Sequence, residues 1–168
     1  SKPTTIMSQT VADRLVACLE AEQVKYVFGV PGEENSGFLM SLAKSKVIQF
    51  IICRHEQSAA FMCDIASRLL HSPQVCLTTL GPGATNSFTS VANAFLENSP
   101  MIVLSGQADT GRMHRSSYQV IDTISMFDPI TVFNSSIGSC DDRIVSEIVH
   151  KAFQEAKIKR GPSHIELR

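Results

Sequence analysis

Val47-Ile48-Gln49-Phe50-Ile51-Ile52-Cys53, followed at once by Arg54-His55-Glu56-Gln57-Ser58-Ala59-Ala60, decides the fold of this chain. The first seven residues form an apolar, β-branched run of strand length and read as a buried strand. The alanine-rich run from Ser58 to Leu70 reads as a helix. A strand passing so directly into a helix is half of a β-α-β unit. It sets the carboxylate of Glu56 at the carboxyl end of the strand, the edge at which open parallel sheets bind ligands. An acidic residue in a first helical turn is also explained by the helix dipole alone, so the position by itself leaves both readings open.

The alternation extends in both directions. Upstream, Ser8 to Gln23 puts Val11, Leu15, Val16 and Leu19 on one helical stripe, with Ser8 or Thr10 as the cap. Tyr26 to Val30 predicts a short strand ended by Pro31-Gly32, and Ser36 to Lys44 a helix with Phe38, Leu39 and Leu42 inward. Downstream, His71-Ser72-Pro73 closes the central helix, because the residue before a proline is pushed out of helical geometry. Gln74 to Thr79 is the next strand, and Gly81-Pro82-Gly83-Ala84-Thr85-Asn86 turns it into a helix running to about Glu97. Met101 to Ser105 is a fully apolar strand ending at Gly106. Gln107 to Tyr118 is polar and aperiodic, the kind of long loop that often carries function.

A short helix at Ile121 to Met126 follows, then a strand at Ile130 to Phe133. Asp141 to Lys157 predicts a helix with Ile144, Ile148, Val149 and Phe153 inward, and Ser163 to Leu167 a last strand. Strands separated by helices in this way predict a three-layer α/β/α fold, with a six-stranded, mainly parallel sheet and right-handed crossovers.

The 168 residues suit one domain, and 43% hydrophobic with 18% charged residues is ordinary for a globular chain. A net charge of -1 gives no electrostatic footprint for nucleic acid or an anionic membrane. The polar start Ser1-Lys2-Pro3-Thr4-Thr5 is no signal core and no apolar stretch nears bilayer length, so the expectation is a cytoplasmic protein with no membrane partner. Cys18, Cys53, Cys63, Cys76 and Cys140 are odd in number and widely spaced, which predicts reduced thiols, not a disulfide frame or a zinc site. The histidines, His55, His71, His114, His150 and His164, form no cluster either, so no metal held by this chain alone is expected.

Four turns fall on the carboxyl edge of the expected sheet: Val30-Pro31-Gly32, Arg54-His55-Glu56, Leu80 to Asn86, and Gly106-Gln107. The glycine turn at 81–86 has the makings of a phosphate cradle at a helix N-terminus, yet it lacks the P-loop lysine and the dinucleotide spacing. Backbone demands account for its glycines and proline equally well.

Taken in order, Gly29-Val30-Pro31-Gly32-Glu33, Arg54 to Ala60, Thr79-Leu80-Gly81-Pro82-Gly83-Ala84-Thr85-Asn86 and Asn98 to Gln107 are far more specific than any one of them. The set resembles the N-terminal, pyrimidine-binding domain of thiamine-diphosphate-dependent enzymes, and within them the acetolactate synthase catalytic subunit. The resemblance runs from about Thr10 to Leu167, and Gly161 to Leu167 looks like the stretch where that domain ends.

The resemblance implies a role for each matching residue. Glu56 matches the glutamate that shares a proton with the aminopyrimidine ring nitrogen and so prepares the neighbouring amino group to take a proton from the thiazolium carbon. Val30, Pro31 and Gly32 match positions lining the pyrimidine; Thr79, Pro82 and Asn86 match the turn that packs on the same ring. Gln119, after Tyr118, matches a Phe-Gln pair facing the reacting centre. Outside the family match, Asn86 reads equally as a helix cap, Gln119 as a solvated loop residue and Val30 as core.

The implied cofactor is thiamine diphosphate, with Mg2+ held by a domain not in this chain and FAD possible in the full-length enzyme. The implied reaction decarboxylates a 2-keto acid, pyruvate, and ligates it to a second one, in branched-chain amino acid biosynthesis. The implied assembly is a homodimer or tetramer in which the cofactor lies between this domain and a diphosphate-binding domain. The expected single domain at 1–168 is then part of a longer enzyme and has no turnover alone. A 2-keto acid decarboxylase, a 2-hydroxyacyl-CoA lyase and a non-catalytic assembly domain are the other readings. Val30 and Leu80 depart from the usual pattern and bear on the substrate; Cys63-Asp64-Ile65-Ala66-Ser67 departs in a way that bears on the packing of its helix, and Gly111 to Ser117 looks closer to a less characterised synthase-like branch.

Overall fold

The strands Tyr26–Gly29 (β1), Gln49–Ile52 (β2), Val75–Thr78 (β3), Met101–Gly106 (β4), Phe133–Ile137 (β5) and Pro162–Leu167 (β6) pair in parallel in the order β2-β1-β3-β4-β6-β5. This computed structural model describes residues 10–108, 111, 118–138 and 142–168. The alternative cap Ser8, His114, Cys140, Asp141 and most of the 107–118 loop lie outside the described residues.

Among the described residues, six α-helices link or precede the strands: α1 Val11–Ala21, α2 Ser36–Leu42, α3 Glu56–Leu70, α4 Pro82–Leu96, α5 Thr123–Phe127 and α6 Asp142–Lys159. Thr10 starts α1 with a capping box, its hydroxyl accepting from the Asp13 N–H at 3.0 Å while Asp13 accepts from the Thr10 N–H. One face of the sheet buries Leu15, Leu19, Phe38, Leu42, Val149 and Phe153 from α1, α2 and α6. The other buries Ala59, Ala60 and Cys63 of α3, Val91 and Ala94 of α4, and Phe127. The result is the expected three layers. Small residues dominate the second face, which lets α3 and α4 approach each other and the sheet closely.

The central strands β3 and β4 are buried throughout, as parallel strands covered on both faces must be. The stretch around Val47 to Cys53 behaves differently from its reading as a buried strand. Among the described residues no strand pairs on the outer side of β2, which is therefore an edge strand, and Ile52 is 71% exposed. The strand expected at Ile130 to Phe133 begins later, since Asp128–Ile130 forms a 3-10 turn around Pro129 and the ladder runs over Phe133–Ile137. In α6 the inward residue is Val145, while Ile144 is 46% exposed. The helical stripe is therefore one residue out of phase with the sequence reading at its start. α3 stops where Pro73 predicts, but through a left-handed His71 (φ 52°).

The chain leaves β1 to build β2 on one side and returns to build β3 on the other. That places a topological switch between β1 and β3, where carboxyl-end loops diverge and open a crevice.

Candidate functional site

The start of α3 sets the carboxylate. His55 has extended backbone, and its Nδ1 accepts from the Gln57 N–H at 3.1 Å, which caps the helix and turns Glu56 inward. Glu56 is 7% exposed. Its Oε2 accepts from Asn86 Nδ2 at 2.9 Å; among the described residues its Oε1 accepts no hydrogen bond and the group joins no ion pair. The α3–α4 register behind this contact is fixed by Ser90, whose hydroxyl donates to the Gln57 carbonyl at 2.8 Å. A buried carboxylate with one oxygen held and one open suits an N–H donor arriving from outside.

The glycine turn is shaped around that carboxylate. A Cβ on Gly83 would lie 2.7 Å from Thr79 Cγ2 and 3.3 Å from Glu56 Oε1, and one on Gly32 would lie 2.7 Å from Thr79 Cβ. The loops after β1, β2 and β3 therefore meet at the turn from Thr79 to Gly83. Its hydroxyl donates to Glu34 Oε2 at 3.3 Å. Buried Asn35 braces the β1 turn, donating to the Val30 carbonyl at 3.1 Å and accepting from the Gly32 N–H at 2.9 Å. Pro82 is the first residue of α4, where its missing N–H costs nothing. It is exposed, like Pro31 and Asn86, so these three form the rim of the crevice.

Gln119 approaches from the far side. Its backbone is left-handed (φ 62°), and its carbonyl oxygen would stand 2.1 Å from a Cβ on Gly81, itself at φ 52°. Only glycine permits this contact. The structure thus brings Gly32, Glu56, Thr79, Asn86 and the Gln119 backbone into one connected set, with Val30 tied in through Asn35. Residues that sequence reasoning missed are Glu34 and Asn35. Asn35 carried a signal, a lone amide between turn and apolar helix; Glu34 carried none without the third dimension.

Behind the crevice, Ser105, His164 and Asn134 form a line that resembles a hydrolytic triad and is none. Asn134 Nδ2 donates to the Ile124 carbonyl, which leaves its Oδ1 to accept from His164 Nδ1 at 2.7 Å, and His164 Nε2 then accepts from the Ser105 hydroxyl at 2.7 Å. Ser105 and His164 are fully buried, and the Phe127 ring lies 4.3 Å from the imidazole between centroids. Burial pushes the His164 pKa down to about 3, so the ring is neutral and sealed. Among the described residues no three His, Cys, Asp or Glu side chains are grouped to hold a metal, and no helix is long and apolar enough to cross a membrane.

The family profile described as "Thiamine pyrophosphate enzyme, N-terminal TPP binding domain" matches residues 9–126. The chain is 39% identical over 157 residues to a probable acetolactate synthase large subunit of Methanocaldococcus jannaschii, covering 93% of this chain and 26% of that one. It is 36% identical to the catabolic acetolactate synthase of Raoultella terrigena, over 90% of this chain and 27% of the relative. To acetolactate synthase isozyme 1 large subunit of Escherichia coli it is 33% identical, over 94% and 28%. The chain thus spans about a quarter of the length of these relatives.

Proposed function

The chain belongs to the thiamine pyrophosphate enzyme family as its N-terminal TPP binding domain, and from that premise we propose that it forms the pyrimidine side of the cofactor site in an acetolactate-synthase-like enzyme. The observation that carries the reading is the Glu56 carboxylate, buried, held on one oxygen by Asn86 and open on the other. That donor set fits an aminopyrimidine, which offers a ring nitrogen to share a proton with the open oxygen.

Bound there, thiamine diphosphate would supply an amino group beside its thiazolium carbon, and that ring would serve as the electron sink when a 2-keto acid loses carbon dioxide. The chain's own part is to hold and move the proton at Glu56 Oε1. Asn86 fixes the other oxygen so that the carboxylate cannot rotate away. Val30, Pro31 and Gly32 on one side and Thr79 and Pro82 on the other give the ring its walls, and Gln119 reaches toward the substrate from the loop opposite. Burial of Glu56 keeps water from competing for its proton.

The rest of the assignment extends this reading. Mg2+ and the diphosphate belong to another domain, as does any FAD, in a cytoplasmic homodimer or tetramer that completes the site. Pyruvate is the donor, a second 2-keto acid the acceptor, and the product serves branched-chain amino acid biosynthesis. All three relatives described above bear the same activity name, which favours a carboligase over a simple decarboxylase. Incubating the full-length protein with pyruvate, thiamine diphosphate and Mg2+ tests it. Acetolactate is the expected product; acetaldehyde alone, or no consumption of pyruvate, would overturn the assignment.

A further inference from the structure

A second buried carboxylate lies at the same edge of the sheet and is not accounted for by the cofactor site. Glu166, near the end of β6, is 1% exposed. Its Oε2 accepts from the Thr123 hydroxyl and from Gln107 Nε2 at 3.2 Å, and its Oε1 from Arg168 Nε at 2.6 Å. Gln107, directly after β4, is equally enclosed. Its Nε2 also donates to the Ile121 carbonyl at 2.8 Å, its Oε1 accepts from the Ala108 N–H at 3.0 Å, and its own N–H is spent on the Leu167 carbonyl at 2.7 Å.

These bonds grip one short segment at both ends. Ile121 is held through its carbonyl and Thr123 through its hydroxyl, so residues 121–123 are fastened to the ends of β4 and β6. Two residues earlier, Gln119 sits in its left-handed conformation against Gly81. The Gln119 backbone is therefore fixed on one side by the Gly81 contact and on the other by the clasp. Its side chain is exposed and makes no hydrogen bond among the described residues.

We propose that Gln107 and Glu166 are positioning residues for Gln119, a clasp that fixes the angle from which its amide reaches the reacting centre. The proposal rests on the assignment of Gln119 to that centre. Burying a carboxylate and a primary amide is costly unless every hydrogen bond is made, and here each bond goes to the segment leading out of Gln119 or to the strand ends that anchor it. Small displacements of a positioning group weaken catalysis far more than they weaken binding.

The test uses the full-length enzyme and the pair Gln107→Met and Gln119→Ala, singly and together. Gln107→Met keeps shape and removes the donor; Thr123→Val serves in its place if the first variant does not fold. Gln107→Met is expected to lower kcat about tenfold or more with KM nearly unchanged. In the Gln119→Ala background it should cost almost nothing further. In the cofactor-free protein, amide exchange at residues 119–123 should speed up in Gln107→Met and stay unchanged in the central strands. An equal kcat loss in both backgrounds, or unchanged exchange at 119–123, would overturn the clasp while leaving Gln119 in its role. A Gln119→Ala enzyme of normal activity would instead remove Gln119 from the reacting centre, and the purpose of the clasp with it.

Discussion

Asn86 Nδ2 stands 2.9 Å from Glu56 Oε2, so a residue on the rim of α4 holds one oxygen of the buried carboxylate that opens α3. The two helices are locked in register for this contact by Ser90 and the Gln57 carbonyl. Asn86→Ala leaves that oxygen without its donor. The expected cost is about 1–2 kcal/mol of stability, together with a loss of thiamine diphosphate affinity of about tenfold. Denaturant unfolding and cofactor titration of the full-length protein measure the two. An Asn86→Ala enzyme with unchanged affinity would leave Asn86 as a bystander.

Gly81→Ala should be more damaging than its size suggests. The added Cβ would lie 2.1 Å from the Gln119 carbonyl, on a backbone at φ 52° and ψ -115°. Relieving that overlap must move Gln119 or the first turn of α4. A melting-temperature drop matching about 1–3 kcal/mol is expected, with kcat falling more than KM rises. A fully active, fully stable Gly81→Ala protein would show that the contact is not required.

The neutral His164 makes stability depend on pH in a defined window. Its pKa in the folded chain, about 3, lies below the ordinary histidine value, so the stabilisation is complete above about pH 6.5. As the pH falls from there toward 3, the unfolded chain takes up a proton that the folded chain refuses. Stability should fall by up to about 1.4 kcal/mol per pH unit from this group. Urea unfolding between pH 7.5 and 5 reads the slope, and His164→Gln should flatten it. An unchanged slope in that variant would assign the acid sensitivity elsewhere.

The thiols should divide sharply. Cys63 and Cys76 are fully buried and burial drives their pKa values up, and Cys53 shifts the same way. Cys18 is half-buried on α1. Brief alkylation of the native protein near pH 8, followed by peptide mass analysis, should modify Cys18 and spare Cys63 and Cys76 until the protein is unfolded. Early labelling of Cys76 would mean that the face beneath Glu56 opens readily.

Much of this was legible in the residues themselves. The apolar runs at 75–78 and 101–106 identify doubly covered strands, and Gly81-Pro82-Gly83 marks a helix start whatever its purpose. The order of the four turns pointed to Glu56, Thr79 and Asn86, and they do lie together. What failed did so for physical reasons. An apolar strand reads the same at an edge as in the centre, which is why Ile52 misled. Pro129 sits in a 3-10 turn that delays β5, and the adjacent apolar pair Ile144-Val145 offers two phases for the stripe of α6, of which the fold buries Val145. Glu34, Gln107 and Glu166 are joined to their partners by contacts distant in sequence, and no local pattern announces those.

Exposed apolar side chains gather on one face of α3. Phe88 and Phe95 are only half exposed, while Phe61, Met62, Ile65 and Leu69 make an open apolar stripe along α3.

The central claim is that Glu56 holds the proton that activates the cofactor, and Glu56→Gln in the full-length enzyme tests it most directly. The amide keeps the shape and the contact distance to Asn86 but cannot carry the charge or relay the proton. Acetolactate formation from pyruvate at saturating thiamine diphosphate should fall by at least about 100-fold, with an unfolding midpoint close to that of the parent. Carboligation at near-parental rate by a folded, cofactor-saturated Glu56→Gln enzyme would contradict the account.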